Sequence, residues 1–158
     1  MEQENVGLYL GMDISEKYTM ISIYQQHMKE PQTISTIMGS ESYQIPTALA
    51  KKKGVGQWFF GREAKVRVKS GEALGVEDLL DKARTGEEVF LEHEKYAASD
   101  LLAIFLKLVL SLAGSAQAMM PLTKLVICLD KVSVEYMELF SAIMVKLGIE
   151  TDKLLLID

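Results

Sequence analysis

The chain contains few of the residues that define disulfide-bonded, zinc-binding or histidine-dependent proteins. Its 158 residues include one cysteine, two histidines and three prolines. Cys128 has no partner for an internal disulfide, and it lies in the apolar run 125–129, where a thiol is expected to be a small buried hydrophobe. Neither His27 nor His93 has a cysteine or second histidine at ligand spacing, which leaves zinc and histidine catalysis unsupported. A reducing, cytoplasmic setting is therefore expected.

The sequence also shows neither a secretory leader nor a clear membrane span. Residues 1–5 are acidic and polar, whereas a signal peptide begins with basic residues and then becomes apolar. Residues 101–122 are mostly apolar, but Lys107 and the small residues 114–116 interrupt them after about thirteen positions, which is typical of a buried helix. We expect no secretion and no membrane partner.

Composition places the chain among folded domains. Hydrophobic residues make up 49% and charged residues 25%, which excludes disordered and fibrous classes and suits one domain or part of a larger one. The net charge is −5, but residues 51–69 carry seven basic side chains against one glutamate, giving +6 there and −11 elsewhere. Aromatic residues 58–60 interrupt this basic stretch, as in some nucleic-acid-binding surfaces. A solvated hairpin surface explains it better, so a nucleic-acid partner is not expected.

Alternation and apolar runs predict the order of the elements. Residues 6–13 read as a strand buried on both faces, and residues 19–24 and 32–37 as two further strands of an antiparallel meander. Ser99 is the expected N-cap of a buried helix from residue 101, and Ser133 that of a helix ended by Gly148. Apolar strands are expected at 122–130 and 154–157. A short helix is expected at 76–84, ended by Gly86, and a short strand at 89–91.

This order predicts an α/β fold with one mixed five-stranded sheet, a three-strand meander followed by two parallel crossings, in the ribonuclease-H-like layout with flanking helices. Residues 39–70 are punctuated by Gly and Pro and are expected to form a small β-hairpin insertion whose turn lies near 51–56. The whole chain, 1–158, is then one lobe.

Three aspartates follow predicted strands. Asp13 ends the first, Asp130 follows the fourth and Asp158 the fifth. Parallel strands bring their carboxyl ends to one sheet edge, where α/β sheets bind ligands, and carboxylates there suit Mg²⁺. Each aspartate also suits a turn or a helix cap, so both interpretations stay open.

Several short motifs, taken in order, resemble one protein family. The run from Gly11 to Thr19 resembles the first phosphate loop of the sugar kinase, heat-shock chaperone and actin superfamily, most closely that of DnaK-type chaperones. Residues 44–49 are similar to their Ile-Pro-Ser segment, and residues 60–65 to their Val-Gly-x-x-Ala-Lys segment. Residues 89–110 and 125–158 are similar to the later strands and helices of the same lobe, so the likeness covers nearly the whole chain.

The resemblance implies an N-terminal lobe of an actin-like or chaperone-like ATPase, with ATP and Mg²⁺ as cofactors. Asp13 matches the aspartate that holds magnesium through water, Lys65 the lysine that reaches the transferred phosphate, and Asp158 the acid after the fifth strand. These are the expected catalytic residues, with Asp13 and Asp158 also at the metal. The residues implied in cofactor binding belong to the loop: Gly11, Ser15, Glu16, Lys17 and Tyr18.

The loop departs from the family where Ser15, Glu16 and Lys17 replace Gly-Thr-Thr. The glycine that lets backbone N–H groups approach phosphate is missing, and a carboxylate is added. The family also encloses nucleotide between two lobes, of which this chain matches only the first. We therefore expect the isolated chain to bind nucleotide poorly and to be inactive, its partner being a second lobe of the same protein or another copy of the chain.

Two alternative functions remain open from the sequence. One is a protein-interaction module that keeps the fold and does not depend on nucleotide. The other is a metal-dependent nuclease in which Asp13, Asp130 and Asp158 hold two Mg²⁺ ions.

Overall fold

A computed structural model of the protein describes residues 7–25, 28–36, 41–114 and 122–158. Predictions for residues 1–5, His27, Ile37 and residues 115–121 lie outside this part. The strands are β1 (Leu8–Ile14), β2 (Tyr18–Gln25), β3 (Gln32–Thr33), β4 (Ile45–Pro46), β5 (Leu49–Lys52), β6 (Trp58–Phe60), β7 (Ala73–Val76), β8 (Glu88–Leu91), β9 (Glu94–Ala97), β10 (Leu122–Cys128) and β11 (Leu154–Ile157). The helices are α1 (Gly61–Lys69), α2 (Leu79–Thr85), α3 (Ala98–Leu110) and α4 (Val134–Leu147).

The main sheet is mixed, as predicted. Its strand order is β11-β10-β1-β2-β3, and the short β4 also pairs with β2. β1, β2 and β3 are antiparallel neighbours, whereas β10 is parallel to both β1 and β11. The meander and the two parallel additions are therefore present, and the described sheet has six strands because β4 joins it.

The segment after residue 40 is larger than the predicted hairpin. β5 and β6 form that hairpin, but β7 pairs with the other edge of β5 and completes a three-stranded sheet. The end of the basic stretch is helix α1 and not hairpin, so that prediction was wrong for residues 61–69. Ala64 of α1 packs with Ala50, Phe59 and Ala73 of this sheet in a small core of its own.

Two of the predicted helix ends are confirmed by the structure, and one is wrong. Ser133 is the N-cap of α4, and its hydroxyl accepts the backbone N–H of Tyr136 at 3.2 Å. Gly148 follows α4 with φ 74°, in the left-handed conformation that suits glycine. The prediction for Ser99 was wrong, because α3 begins at Ala98 with Ala97 as its N-cap and no capping side chain.

The main core lies on one face of the main sheet. Alternate side chains of β1 and β10 pack against α2, α3 and α4, with Phe105 and Phe140 fully buried among them. The other face of β1 carries Tyr9 and Asp13, both exposed. The prediction that β1 is buried on both faces was therefore wrong.

Candidate functional site

The loop between β1 and β2 is closed by its own hydrogen bonds. Ser15 N–H donates to the carbonyl of Tyr18 at 2.9 Å, and the Ser15 hydroxyl accepts the Tyr18 N–H at 3.2 Å. The buried Thr47 then donates its hydroxyl to the Ser15 carbonyl at 2.8 Å and its N–H to the Lys17 carbonyl at 3.0 Å. A further 2.8 Å hydrogen bond joins the Thr19 and Thr47 hydroxyls. These bonds connect the predicted phosphate loop to Thr47, the residue that directly follows β4.

Glu16 is directed from this loop to helix α2. Its two carboxylate oxygens accept the backbone N–H groups of Leu80 and Asp81, each at 3.0 Å. Loss of hydration raises the pKa of the Glu16 carboxyl; the two N–H groups partly oppose the increase, and the charges of Asp78 and Asp81 add to it. In the structure, the carboxylate that interrupts the phosphate-loop motif therefore caps a helix.

Lys17 and Lys65 line one cleft beside the loop. The cleft has a volume of about 410 Å³, and Glu16, Thr47 and Ala48 form part of its lining. Glu77 and Asp78 bring further negative charge to the same cleft. The structure thus brings two of the predicted loop residues, Glu16 and Lys17, into one cleft with the predicted phosphate lysine, and it adds the carboxylates of Glu77 and Asp78.

The glycine before α1 is required by the backbone. Gly61 has φ 65°, and a Cβ atom there would lie 3.0 Å from the side chain of Ile45. Its N–H donates to the Ala48 carbonyl at 2.9 Å. Gly61 matches the glycine of the Val-Gly-x-x-Ala-Lys segment. Its physical role here is to start α1 close to β4, so that Lys65 reaches the cleft.

Gly11 and Asp13 line a different cleft. Both lie on the face of the main sheet that the helices do not cover, in a shallow depression of about 280 Å³ that Cys128 and Ile157 also line. Asp13 is paired in register with Cys128, and Cys128 with Ile157. The predicted site residues are consequently divided between two surfaces, one at the loop and one on the sheet.

Asp158 and Asp130 occupy the end of the sheet beside Asp13. One oxygen of Asp158 accepts the backbone N–H of Val132 at 3.1 Å, which fixes the segment leading into α4. Asp130 is exposed. The described part of the chain contains no group of three or more His, Cys, Asp or Glu side chains placed to hold a metal ion. The magnesium roles of Asp13 and Asp158 stay predictions.

Cys128 is a member of this surface that the sequence did not indicate. It was expected to be buried, but it is partly exposed, on the face opposite the buried Leu125 and Ile127. Local burial raises the pKa of its thiol, and the charges of Asp13, Asp158 and Asp130 raise it further. The alternation of side chains along β10 could have indicated this exposure, because it places Cys128 and Ile127 on opposite faces of the strand.

Comparison with known proteins gives the family of the chain. Residues 30–158 match the family described as "Family of unknown function (DUF5716) C-terminal", and the chain belongs to that family. No curated protein matches it. No helix among the described residues combines the length and the apolar character that a membrane span requires.

Proposed function

We propose that this chain is a ribonuclease-H-like lobe, of the kind found in actin and DnaK-type chaperones, that acts as a protein-interaction module without nucleotide. The observation that carries this proposal is the capping of helix α2 by Glu16. Glu16, which departs from the phosphate-loop motif, therefore has a defined structural partner, the start of helix α2. The loop is thus used to hold two elements together.

The charge around the loop supports the same conclusion. A phosphate oxygen 4 Å from the Glu16 carboxylate would be repelled by about 1 kcal/mol in water and about 4 kcal/mol at an effective dielectric constant of 20. Glu77 and Asp78 line the cleft as well and add to that repulsion. Lys17 and Lys65 offset part of it, but Lys17 Nζ lies 5.6 Å from the centre of the Tyr18 ring in a cation–π contact.

Calorimetry and sedimentation test the proposal together. Titration of ATP with Mg²⁺ into the chain should give no heat of binding, and the sedimentation coefficient should be the same with and without Mg-ATP. Binding near one nucleotide per chain that is lost in Lys65→Met and kept in Lys69→Met would overturn the proposal. The Lys69→Met control removes the same charge from the same helix, four residues away.

A second candidate is an ATPase lobe that works only beside a second lobe. The observation that favours it is the shared cleft of Lys17 and Lys65 next to the β1–β2 loop. In that case Lys65 would contact phosphate, and Asp13 and Asp158 would hold Mg²⁺. Calorimetry with ATP and Mg²⁺ on a chain that contains both lobes tests it, and we expect Lys65→Met to weaken binding at least tenfold if the assignment is correct. For the metal-dependent nuclease, the described residues offer no group of three or more His, Cys, Asp or Glu side chains placed to hold a metal ion, and that alternative stays a prediction of the sequence.

A further inference from the structure

One face of the main sheet is uncovered in the described part of the chain, and we call it the open face. It is opposite to α2, α3 and α4, and its apolar members include Tyr9, Leu155 and Ile157, which are 42%, 47% and 42% exposed. The open face is formed by Tyr9, Gly11 and Asp13 of β1, Met20, Ser22 and Tyr24 of β2, Lys124, Val126 and Cys128 of β10, and Leu155 and Ile157 of β11.

Strand register makes these side chains one continuous surface. One row crosses the sheet from Ile157 through Cys128 and Asp13 to Met20. The next row runs from Leu155 through Val126 to Gly11, where the absence of a side chain leaves a shallow depression. A third row contains Lys124, Tyr9 and Tyr24, and the two tyrosine rings are 6.0 Å apart.

The composition of β11 indicates that a covering element is needed. Its four residues, Leu154–Ile157, are all apolar, and they lie in the parallel part of the sheet. Parallel strands are normally buried on both faces, and the elements that cover them are helices. Among the described residues, α3 and α4 meet that need on one face only, so this part of the chain leaves the open face without the layer that the sequence of β11 is suited to.

Charge distinguishes the two ends of the open face. Asp13 is in register with Cys128, Asp130 lies two residues after Cys128, and Asp158 follows Ile157, which is also in register with Cys128. The opposite end carries Lys124, in register with Tyr9. A partner that covers this surface therefore meets three carboxylates at one end, Lys124 at the other, and a mostly apolar surface between them.

We propose that the open face binds an amphipathic helix of a partner protein, with an apolar stripe on the sheet and Lys or Arg residues at the end beside Asp13, Asp130 and Asp158. This inference rests on the proposed interaction function and gives it a partner class. The acidic end and Lys124 are separated along the strands, and the seven residues of β1 or β10 extend about 23 Å. A helix of about fifteen residues is about 23 Å long and covers that length when it lies along the strands.

Binding of synthetic helical peptides to the intact chain tests this assignment. The probe is a fluorescein-labelled 18-residue Leu-rich helix with one apolar stripe and three Arg at one end, and its matched control has three Glu there. Fluorescence anisotropy at low salt should show binding of the Arg peptide at least tenfold tighter than that of the Glu peptide. The preference should weaken as salt is raised, because part of the attraction is between exposed charges.

Two variants locate the peptide. Leu155→Ser with Ile157→Ser removes apolar side chains, and Asp13→Asn with Asp130→Asn and Asp158→Asn removes the charge but keeps an acceptor for Val132. Each should weaken binding of the Arg peptide at least tenfold. The matched control, Val66→Ser with Val145→Ser, removes two exposed apolar side chains from α1 and α4 and should leave binding unchanged. Circular dichroism checks folding, and the aspartate variant decides the result if the serine variant unfolds.

Equal affinity for the two peptides, or unchanged binding by the aspartate variant, would overturn the proposal. So would sedimentation of the chain alone as a dimer that Leu155→Ser with Ile157→Ser converts to monomer, because a second copy would then be the occupant. The proposed function is tested separately by its nucleotide titration. Failed peptide binding without nucleotide binding refutes only the helix assignment, whereas nucleotide binding refutes the proposed function.

Discussion

Glu16 joins two parts of the chain that lie more than sixty residues apart. Its carboxylate accepts two backbone N–H groups at the start of α2, which have no acceptor of their own within the helix. Asp78, the residue before α2, has φ 52° and its side chain makes no capping hydrogen bond. The cap of α2 is therefore supplied by the β1–β2 loop.

Replacing Glu16 should destabilise the fold measurably. Glu16→Ala leaves the N–H groups of Leu80 and Asp81 without their acceptor, and we expect the free energy of unfolding to fall by about 1 kcal/mol, as for other lost caps. Urea unfolding followed by circular dichroism measures it. Glu138→Ala is the control, because Glu138 is an exposed glutamate of α4 and its replacement should change stability by less than about 0.5 kcal/mol. Equal stabilities of the two variants would contradict the capping role.

Glu92 performs a similar joining role at the turn between β8 and β9. It accepts the Gly54 N–H at 2.7 Å and forms an ion pair with the buried Lys51 at 3.3 Å. The Gly54 N–H is the main cause that lowers the pKa of Glu92, and Lys51 lowers it further. The turn of the β5–β6 hairpin is thereby attached to the β8–β9 hairpin.

The lowered pKa of Glu92 gives a pH dependence with a definite sign. Because the folded state holds the ionised form, its contribution to stability is complete above the unfolded glutamate pKa of about 4.3 and disappears as the pH falls through the lower folded value. Thermal unfolding of the wild type and Glu92→Gln should differ most at pH 6–7, with the wild type more stable, and the gap should narrow below about pH 4. A gap that widens on acidification would refute this assignment.

At the scale of secondary-structure elements, helix caps and ion pairs fix the positions of the helices. Arg84 of α2 forms ion pairs with Asp81 at 2.6 Å and with Glu135 in the first turn of α4 at 3.0 Å. Ser133 caps α4 next to this contact. The α2–α4 contact and the start of α4 are therefore fixed by polar groups on one side of the molecule, with Glu16 attached to the opposite end of α2.

A pair of serine replacements separates a real cap from an apparent one. Ser133→Ala removes the acceptor of the Tyr136 N–H, and we expect a loss of about 1 kcal/mol. Ser99→Ala should change stability by less than about 0.5 kcal/mol, because Ser99 lies inside α3 and alanine favours a helix. Chemical unfolding of both proteins provides the comparison. A larger loss for Ser99→Ala would show that the start of α3 is wrongly assigned.

At the scale of the whole molecule, the main feature is that the helices of the described residues cover the main sheet on one side. Leu125 of β10 is fully buried against them, whereas Leu155 of the neighbouring β11 lies on the open face and is 47% exposed. The protein can therefore lose apolar side chains from one face of this sheet at little cost to its own stability. The exposed apolar side chains of the open face are therefore free to serve the proposed binding without being needed for folding.

Two leucine replacements measure the asymmetry. Leu125→Ala should cost about 2–5 kcal/mol, because it removes buried apolar surface and leaves a cavity. Leu155→Ala should cost less than about 1 kcal/mol, since much of its side chain is in water in the folded state as well. Calorimetric or urea-induced unfolding distinguishes the two. Similar costs would mean that the open face is packed within the isolated chain.

Local patterns in the sequence determined the elements that depend on neighbouring residues. The apolar run of β11, the cap Ser133 and the stop Gly148 were all predicted, because periodicity, capping and a left-handed glycine act over a few residues. The mixed sheet followed from the number and order of the apolar segments. The position of Lys65 was implied only by the family resemblance of residues 60–65, and in the structure Lys65 lines the same cleft as Lys17.

Only the tertiary structure decided what those elements contact. Helix α1 was missed because its stability comes from packing Ala64 on Phe59 and not from an apolar stripe. The partners of Glu16 and Lys51 are 64 and 41 residues away, distances at which a single sequence carries no local signal. The division of the predicted site residues into a loop cleft and an open face has the same cause. Strand register places each side chain on one face of the sheet, and only the packing of distant helices determines which face is covered.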